Sequence, residues 1–385
     1  MRFRPEHAEL RAGVRRLLAR HDGGAAWRLL AEQVGAPGLA VPERFGGAGF
    51  GPLEVHAVME ELGHALAEVP FLSSSVLATQ ALLGCEASPA RDTWLGRLAE
   101  GSATAALAWE EDGGDRAREE TDTNVACVPR CFATHTRATP PAAADASGRW
   151  RITGRKPRVL DAATADVLVV AAGTDDGPAL FAVVPDAEGV TLTGRVPLDL
   201  TRPRADVSFD RAEALPLTFH GDRVLAEALT AATTALTAEQ VGGAARCVEM
   251  TVEYAGAREQ FGRPIGSFQA VKHRLADMYV ALESARSLSY AAAFSLDAGD
   301  AEAWVDASAA KAACSEAYRE IAGEAIQLHG GIGVTWEHEA QRHFKRAHGS
   351  ASLFGAPEWH RRRLETVIGL EDGAVDPHPG GALSP

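Results

Sequence analysis

Apolar positions recur at helical spacing early in the chain: Leu10, Val14, Leu17 and Leu18 form one stripe, and Leu53, Val58, Met59 and Leu62 form another. Residues 1–101 therefore read as an N-terminal α-helical domain. Between its helices VGAPGLAVPERFGGAGFGP concentrates glycine and proline, which predicts a turn-rich connection. Past Ser102 the pattern shortens to ATAALAW, WRITG, ADVLVVAAG, ALFAVVP and ADVSFD, separated by Gly, Pro and Asp, so residues 102–217 read as a middle β-domain. Within it RATPPAAADASG has the composition of an exposed, weakly ordered loop. Helical periodicity returns over 218–370, where Phe268, Val271, Leu275, Met278 and Leu282 step by three and four. That stripe predicts a C-terminal antiparallel helical bundle. Residues 371–385, rich in Gly and Pro and without periodicity, read as a disordered tail. The fold class is α+β and multidomain.

Composition narrows the partners. The chain has 385 residues, and 38 Lys+Arg against 52 Asp+Glu give a formal charge of −14. With no basic block, this balance argues against nucleic acid and against a polybasic membrane anchor. The polar, Arg-rich start lacks the apolar run of a signal or a membrane span, so a cytoplasmic location is expected. Cys85, Cys127, Cys131, Cys247 and Cys314 are odd in number and scattered, as free thiols are. Cys127 and Cys131 alone are close, and no second Cys/His pair follows at finger spacing, so no metal site is expected.

Two motifs in the bundle carry chemistry. The first, Arg258 to Gln269, is a helix end, a Gly/Pro turn and a new helix that Ser267 is placed to cap. The second, Gln327-Leu328-His329-Gly330-Gly331-Ile332-Gly333, puts three glycines after an amphipathic helix, where backbone amides can approach an anion. Taken singly, each has an ordinary structural explanation in a turn or a helix cap.

Together, and in this order, they resemble the acyl-CoA dehydrogenase family. TVEYAGAREQFGRPIGSFQAVKHRLADM is similar to that family's most diagnostic signature and AIQLHGGIGVTWEHEAQRHFKRA to its second. The Trp27 to Pro70 run looks like its helical domain, and WRITGRKPRVLDAATADVLVVAA like its β-domain. The resemblance implies an N-terminal helical domain, a central β-barrel-like domain, a C-terminal four-helix bundle, a tetramer, and FAD at a subunit interface. It implies desaturation of an acyl-CoA or acyl-carrier-protein thioester, with electrons passed to an electron-transfer flavoprotein or another acceptor. Arg258, Phe261 and Gln269 match positions that contact the FAD diphosphate and adenosine, and Gln327, Gly330 and Gly331 match positions that approach it from the neighbouring subunit. A dianionic diphosphate calls for a guanidinium fork and close amides.

The pattern departs from the family at the base. The reaction needs a carboxylate to take a proton beside the thioester while hydride leaves for the flavin. Counting without gaps, Phe354 occupies the usual Glu position and Gly355 its glycine; the alternative position, on the helix before the first signature, is Ala232. The nearest carboxylates are Glu239, about two turns along that helix, and Glu358. The runs expected to hold the flavin ring have drifted to Ala108-Trp109-Glu110-Glu111-Asp112-Gly113-Gly114-Asp115 and Pro157-Arg158-Val159-Leu160-Asp161. The favoured reading is an FAD-dependent dehydrogenase with an unusual base, in a homotetramer; the alternatives are a silent subunit completing the FAD site of a paralogue in a heterotetramer, a flavin-dependent monooxygenase on the same scaffold, and a binding module without flavin, against which the intact motifs count. Trp336 to His338 is expected to start a helix at an interface, with Lys345 and Arg346 facing solvent or a partner.

Overall fold

The computed structural model describes residues 4–111, 135–141 and 148–370. Cys127, Cys131, Asp112 to Asp115 and the tail 371–385 lie outside the described residues. Five α-helices come first: α1 Pro5–Leu18, α2 Gly23–Leu29, α3 Pro52–His64, α4 Thr79–Gly84 and α5 Pro89–Ala99, with wider π-helical turns over Leu30–Val34 and Phe71–Ala78. Proline opens α1, α3 and α5, where its missing N–H has no intrahelical partner to lose. The Ser88 hydroxyl accepts from Arg91 N at 3.2 Å and caps α5.

Among the described residues seven strands form the middle: β1 Ala105–Ala108, β2 Arg137–Thr139, β3 Trp150–Leu160, β4 Val167–Thr174, β5 Gly177–Val183, β6 Val190–Arg195 and β7 Arg204–Thr218. Pairings β4–β5, β5–β7, β7–β3, β3–β2 and β2–β4 return to their starting strand, so the sheet closes into a barrel. Among the described residues, β1 and β6 are paired on one side only, to β4 and β7. Along β4, Val167, Val169 and Ala171 pack with the N-terminal helices, whereas Leu168, Val170 and Ala172 fill the barrel. A strand buried on both faces reads as a continuous apolar run, which is why ADVLVVAAG shows no alternation. The opening of the stretch read as an exposed loop, Arg137–Thr139, is instead strand β2, registered against Arg151 to Thr153.

The C-terminal region contains α6 Gly221–Ala257, α7 Gln269–Asp297, α8 Ala303–His329, α9 Ala340–Ala351 and α10 Pro357–Val367. Helix α6 runs through the molecule: its first half joins the N-terminal core and its second half the bundle core. It crosses α3 backbone to backbone. A Cβ on Gly242 would lie 1.8 Å from the Glu60 carbonyl oxygen, and one on Gly63 would lie 2.0 Å from that of Glu239. No side chain fits either position. Gly242→Ala is therefore expected to destabilise by about 2 kcal/mol or more, because the added methyl must push α3 and α6 apart. The control is Gly323→Ala, on α8 with open space around its Cβ, which is expected to be neutral or slightly stabilising. Urea unfolding of both variants checks this.

Candidate functional site

Helix α6 ends where Arg258 turns extended, at φ −76 and ψ 119. The chain then makes a short hairpin, Glu259–Gln260 against Arg263–Pro264. Its two-residue loop is Phe261-Gly262, both left-handed at φ +53 and +76. A type I′ hairpin asks for that conformation. It projects Phe261, whose ring is 92% exposed. Arg258 and Gln269 are also exposed. Ser267 does not cap the following helix; its hydroxyl donates to the Pro264 carbonyl at 2.7 Å, and Phe268 precedes α7 without a side-chain cap.

The second motif closes α8. Gln327, Gly330 and Gly331 are exposed, and a Cβ on either glycine would meet nothing within 4 Å. Gly330 has φ +64 and continues into a short 3-10 turn, Gly330–Val334. The two motifs share one end of the bundle, because the Tyr254 and His329 rings lie 4.5 Å apart. His329 hydrogen-bonds the Ala325 carbonyl through Nδ1 at 2.7 Å, and burial lowers its pKa, so the ring sits neutral. Trp336 is exposed and stacks under Lys345, whose Nζ is 3.8 Å from the ring centroid. Helix α9 starts only at Ala340, beyond the segment expected to start a helix.

The position expected to carry the base is occupied by hydrocarbon. Phe354 is buried in the same core as Trp109, Leu229, Ala232 and Leu353. It adopts φ +59, and Gly355 follows at φ +111 with its Cβ position 2.6 Å from the Trp359 ring. Only glycine fits there. Lys311, fully buried, donates to the carbonyls of Ala351 at 2.9 Å and Gly355 at 3.2 Å, and to Ser315 at 2.9 Å. Burial pulls its pKa down to about 7. His360 Nε2 bonds the Phe354 carbonyl at 3.2 Å, so the turn is fixed from two sides. Ala232 is fully buried, and the hydroxyls of Thr230 and Thr234 are spent on α6 carbonyls.

The two candidate carboxylates lie elsewhere. Glu358 is exposed in the first turn of α10. Glu239 is buried between Arg202 and Arg346, with Arg346 Nη1 at 2.9 Å from Oε1 and Arg202 Nη2 on Oε2. Burial pushes its pKa up, but the two guanidiniums outweigh that and hold it below the usual value. A carboxylate held ionised in two ion pairs is a poor proton acceptor. Arg346, expected to face solvent or a partner, is 2% exposed. Its Nε also donates to Asp199 at 2.6 Å.

The drifted ring-side stretches are tied to each other. Lys156 Nζ lies 2.9 Å from Glu111 Oε1, both buried, and Arg158 Nε lies 2.9 Å from Glu110 Oε2. Glu111 also accepts from the backbone N–H of His135 and Thr136, each at 2.9 Å. Burial raises its pKa, and Lys156 with those bonds brings it down to about 2. Sequence reasoning missed these pairs, although one signal was present: lysine occurs four times in the chain, and Lys156 and Lys311 are fully buried. Among the described residues no group of three or more His, Cys, Asp or Glu side chains is arranged to hold a metal ion. Nor is any described helix long and apolar enough to cross a membrane.

The acyl-CoA dehydrogenase N-terminal domain model matches residues 4–102, and the C-terminal domain model matches residues 220–368. The chain is 36% identical to the acyl-CoA dehydrogenase IpdE2 of Mycobacterium tuberculosis over 379 residues, covering 94% of this chain and 97% of that protein. It is 32% identical to the acyl-CoA dehydrogenase FadE27 of the same organism over 346 residues, covering 88% and 86%. Among solved structures, the ChsE4-ChsE5 complex from Mycobacterium tuberculosis is similar with a TM-score of 0.82 and 28% identity, covering 96% of this chain and 99% of that one. With both helical regions matched and a relative 36% identical along nearly the whole length, the chain belongs to the acyl-CoA dehydrogenase family, FAD-dependent oxidoreductases of acyl thioesters.

Proposed function

We propose that this chain is the base-less, flavin-completing subunit of a heteromeric acyl-CoA dehydrogenase. One observation carries the reading: hydrocarbon is packed at both base positions, Phe354 and Ala232, while the outward Arg258 and Gln327 motifs are intact. Desaturation needs a carboxylate within reach of the α-proton. Glu239 is neutralised by Arg202 and Arg346, and Glu358 faces solvent. The base then comes from a paralogous partner.

The fit of FAD to this chain divides in the same way. Its adenosine-diphosphate half fits the outward surface: Arg258 offers a free-standing guanidinium to the anionic diphosphate, Gly330 and Gly331 let backbone amides come close, and Phe261 offers an exposed ring to adenosine. Gln269 and Gln327 add amide donors beside them. The ring half does not fit this chain's own barrel, where Glu110 and Glu111 are engaged by Arg158 and Lys156. Bound there, the flavin would supply the hydride acceptor, and Arg258, Phe261, Gln269, Gln327 and the Gly330-Gly331 amides of this chain would bind and orient its anionic half, with the ring left to the partner's barrel. The assembly proposed is a cytoplasmic tetramer, two copies of this chain with two of the partner, acting on an acyl-CoA or acyl-carrier-protein thioester and passing electrons to an electron-transfer flavoprotein or another acceptor. The two-component ChsE4-ChsE5 neighbour supports this reading.

The test is flavin content. Expressed alone, the chain is expected to hold far less than one FAD; co-expressed with a paralogue that carries the Glu, about one FAD per pair, bleached anaerobically by an acyl thioester. One FAD per chain in the isolated protein, bleached by substrate, overturns the proposal.

A further inference from the structure

A cavity of about 400 Å³ lies between the N-terminal helices, the barrel and α6, away from Phe354. Its volume falls in the range of small-molecule sites. Trp27, Met59, Leu62, Val69, Leu72 and Leu160 give it apolar walls. Among them sits one polar cluster: Ser73 donates to Asp161 Oδ2 at 2.5 Å, and Arg202, Glu239 and Arg346 line the same space. Asp161 is left-handed at φ +53, and its N–H donates to the Pro203 carbonyl at 3.1 Å. Arg202 is 7% exposed; its Nη2 is spent on Glu239, and its Nη1 has no hydrogen-bond partner. A buried guanidinium N–H without an acceptor is costly and is ordinarily satisfied by something bound.

The charges around that donor leave no positive excess. Arg202 and Arg346 line the cavity against Asp161, Glu239 and Glu68, two positive groups against three negative. The donor lacks an acceptor, and the lining has no positive charge to spare. An anion brought in would carry an uncompensated charge into an apolar cavity. A neutral oxygen acceptor satisfies Nη1 without that penalty, and the walls around it ask for hydrocarbon.

We propose that this cavity binds a neutral, largely apolar molecule through a carbonyl oxygen that accepts from Arg202. The site uses none of Arg258, Phe261, Gln269, Gln327, Gly330 and Gly331 and nothing at the Phe354 turn, but it shares Leu160 and Asp161 with the stretch expected to hold the flavin ring. It rests on the proposed function, in which the ring belongs to the partner's barrel, so it is read in the full chain by itself. Three probes of matched shape distinguish the chemistry: 2-decalone, decalin, and decalin-2-carboxylate, titrated against the full chain and followed by tryptophan emission, with Trp27→Phe identifying the responding ring.

The ketone is expected to bind at least about tenfold more tightly than decalin or the carboxylate, as one hydrogen bond from a charged donor allows. Arg202→Leu is expected to erase that preference. Leu72→Trp, which leaves the ion-pair cluster untouched and fills the space, is expected to abolish binding of all three probes. Equal binding of ketone and decalin, a preference for the carboxylate, ketone binding that survives Leu72→Trp, or no binding of any probe overturns the proposal.

Discussion

Arg346→Met is expected to lower the folding free energy by about 3–5 kcal/mol, the cost of leaving buried charges without their partner. Arg346 joins segments of the chain that are far apart in sequence: Nη1 reaches Glu239 on α6 at 2.9 Å and Nε reaches Asp199 before β7 at 2.6 Å. Its Nη2 donates to the Thr201 carbonyl at 3.2 Å. Methionine replaces the volume and none of the donors. Asp199 would keep the Thr201 hydroxyl, and Glu239 would keep Arg202. Arg346→Lys is expected to recover only a fraction of the loss, because an ammonium cannot bond two carboxylates and a carbonyl with a planar fork.

The pH dependence of this loss has a definite sign. Burial raises the pKa of Glu239 and of Asp199, and the arginines outweigh it, so both are depressed in the folded protein. Their contribution is present above the ordinary carboxylate pKa, about 4, and is lost as pH falls through the lower folded values. In Arg346→Met the same carboxylates are less well compensated and protonate more readily. The gap between wild type and variant is therefore widest near neutrality and closes as pH falls below about 4. Urea unfolding at pH 7 and pH 3 measures it; a gap that widens on acidification would contradict the ion-pair account.

The architecture was legible because its causes are local. Stripes at three and four residues mark helices whose faces pack, and short β-rich runs cut by Gly and Pro mark barrel strands. The Phe261-Gly262 turn, too, is written in its own residues. The ion pairs were not legible, because their partners are remote: Glu239 and Arg346 lie 107 positions apart, and Lys156 and Glu111 lie 45 apart. Helical phase put Glu239 on roughly the face of Ala232, but phase says nothing of the guanidiniums that meet it. Arg346 was misjudged for the same reason, since a basic residue beside Lys345 on an amphipathic helix looks solvent-facing until Asp199 and Glu239 are brought to it. The β2 strand was hidden by the Pro- and Ala-rich residues that follow it.

Phe354→Glu restores the residue type the reaction needs at the position where the family carries it, yet the isolated chain is expected to remain without desaturase activity. The new carboxylate would enter a core of Trp109, Leu229, Ala232 and Leu353. The turn that holds it is already fixed by Lys311 and His360 through the Gly355 and Phe354 carbonyls. Losing the ring's packing costs about 3 kcal/mol or more, and burying a carboxylate among hydrocarbons adds to it while pushing its pKa up. Even a correctly placed base would face a barrel in which Glu110 and Glu111 are ion-paired in the stretch that the family resemblance assigns to the flavin ring. A base without a hydride acceptor beside it does nothing. The measurement is anaerobic flavin bleaching by an acyl-CoA panel together with a thermal melt: a lower melting temperature with no bleaching is the expected pair. Bleaching in the isolated variant would mean that the chain's own ring site is complete, and the heteromeric reading would fall with it.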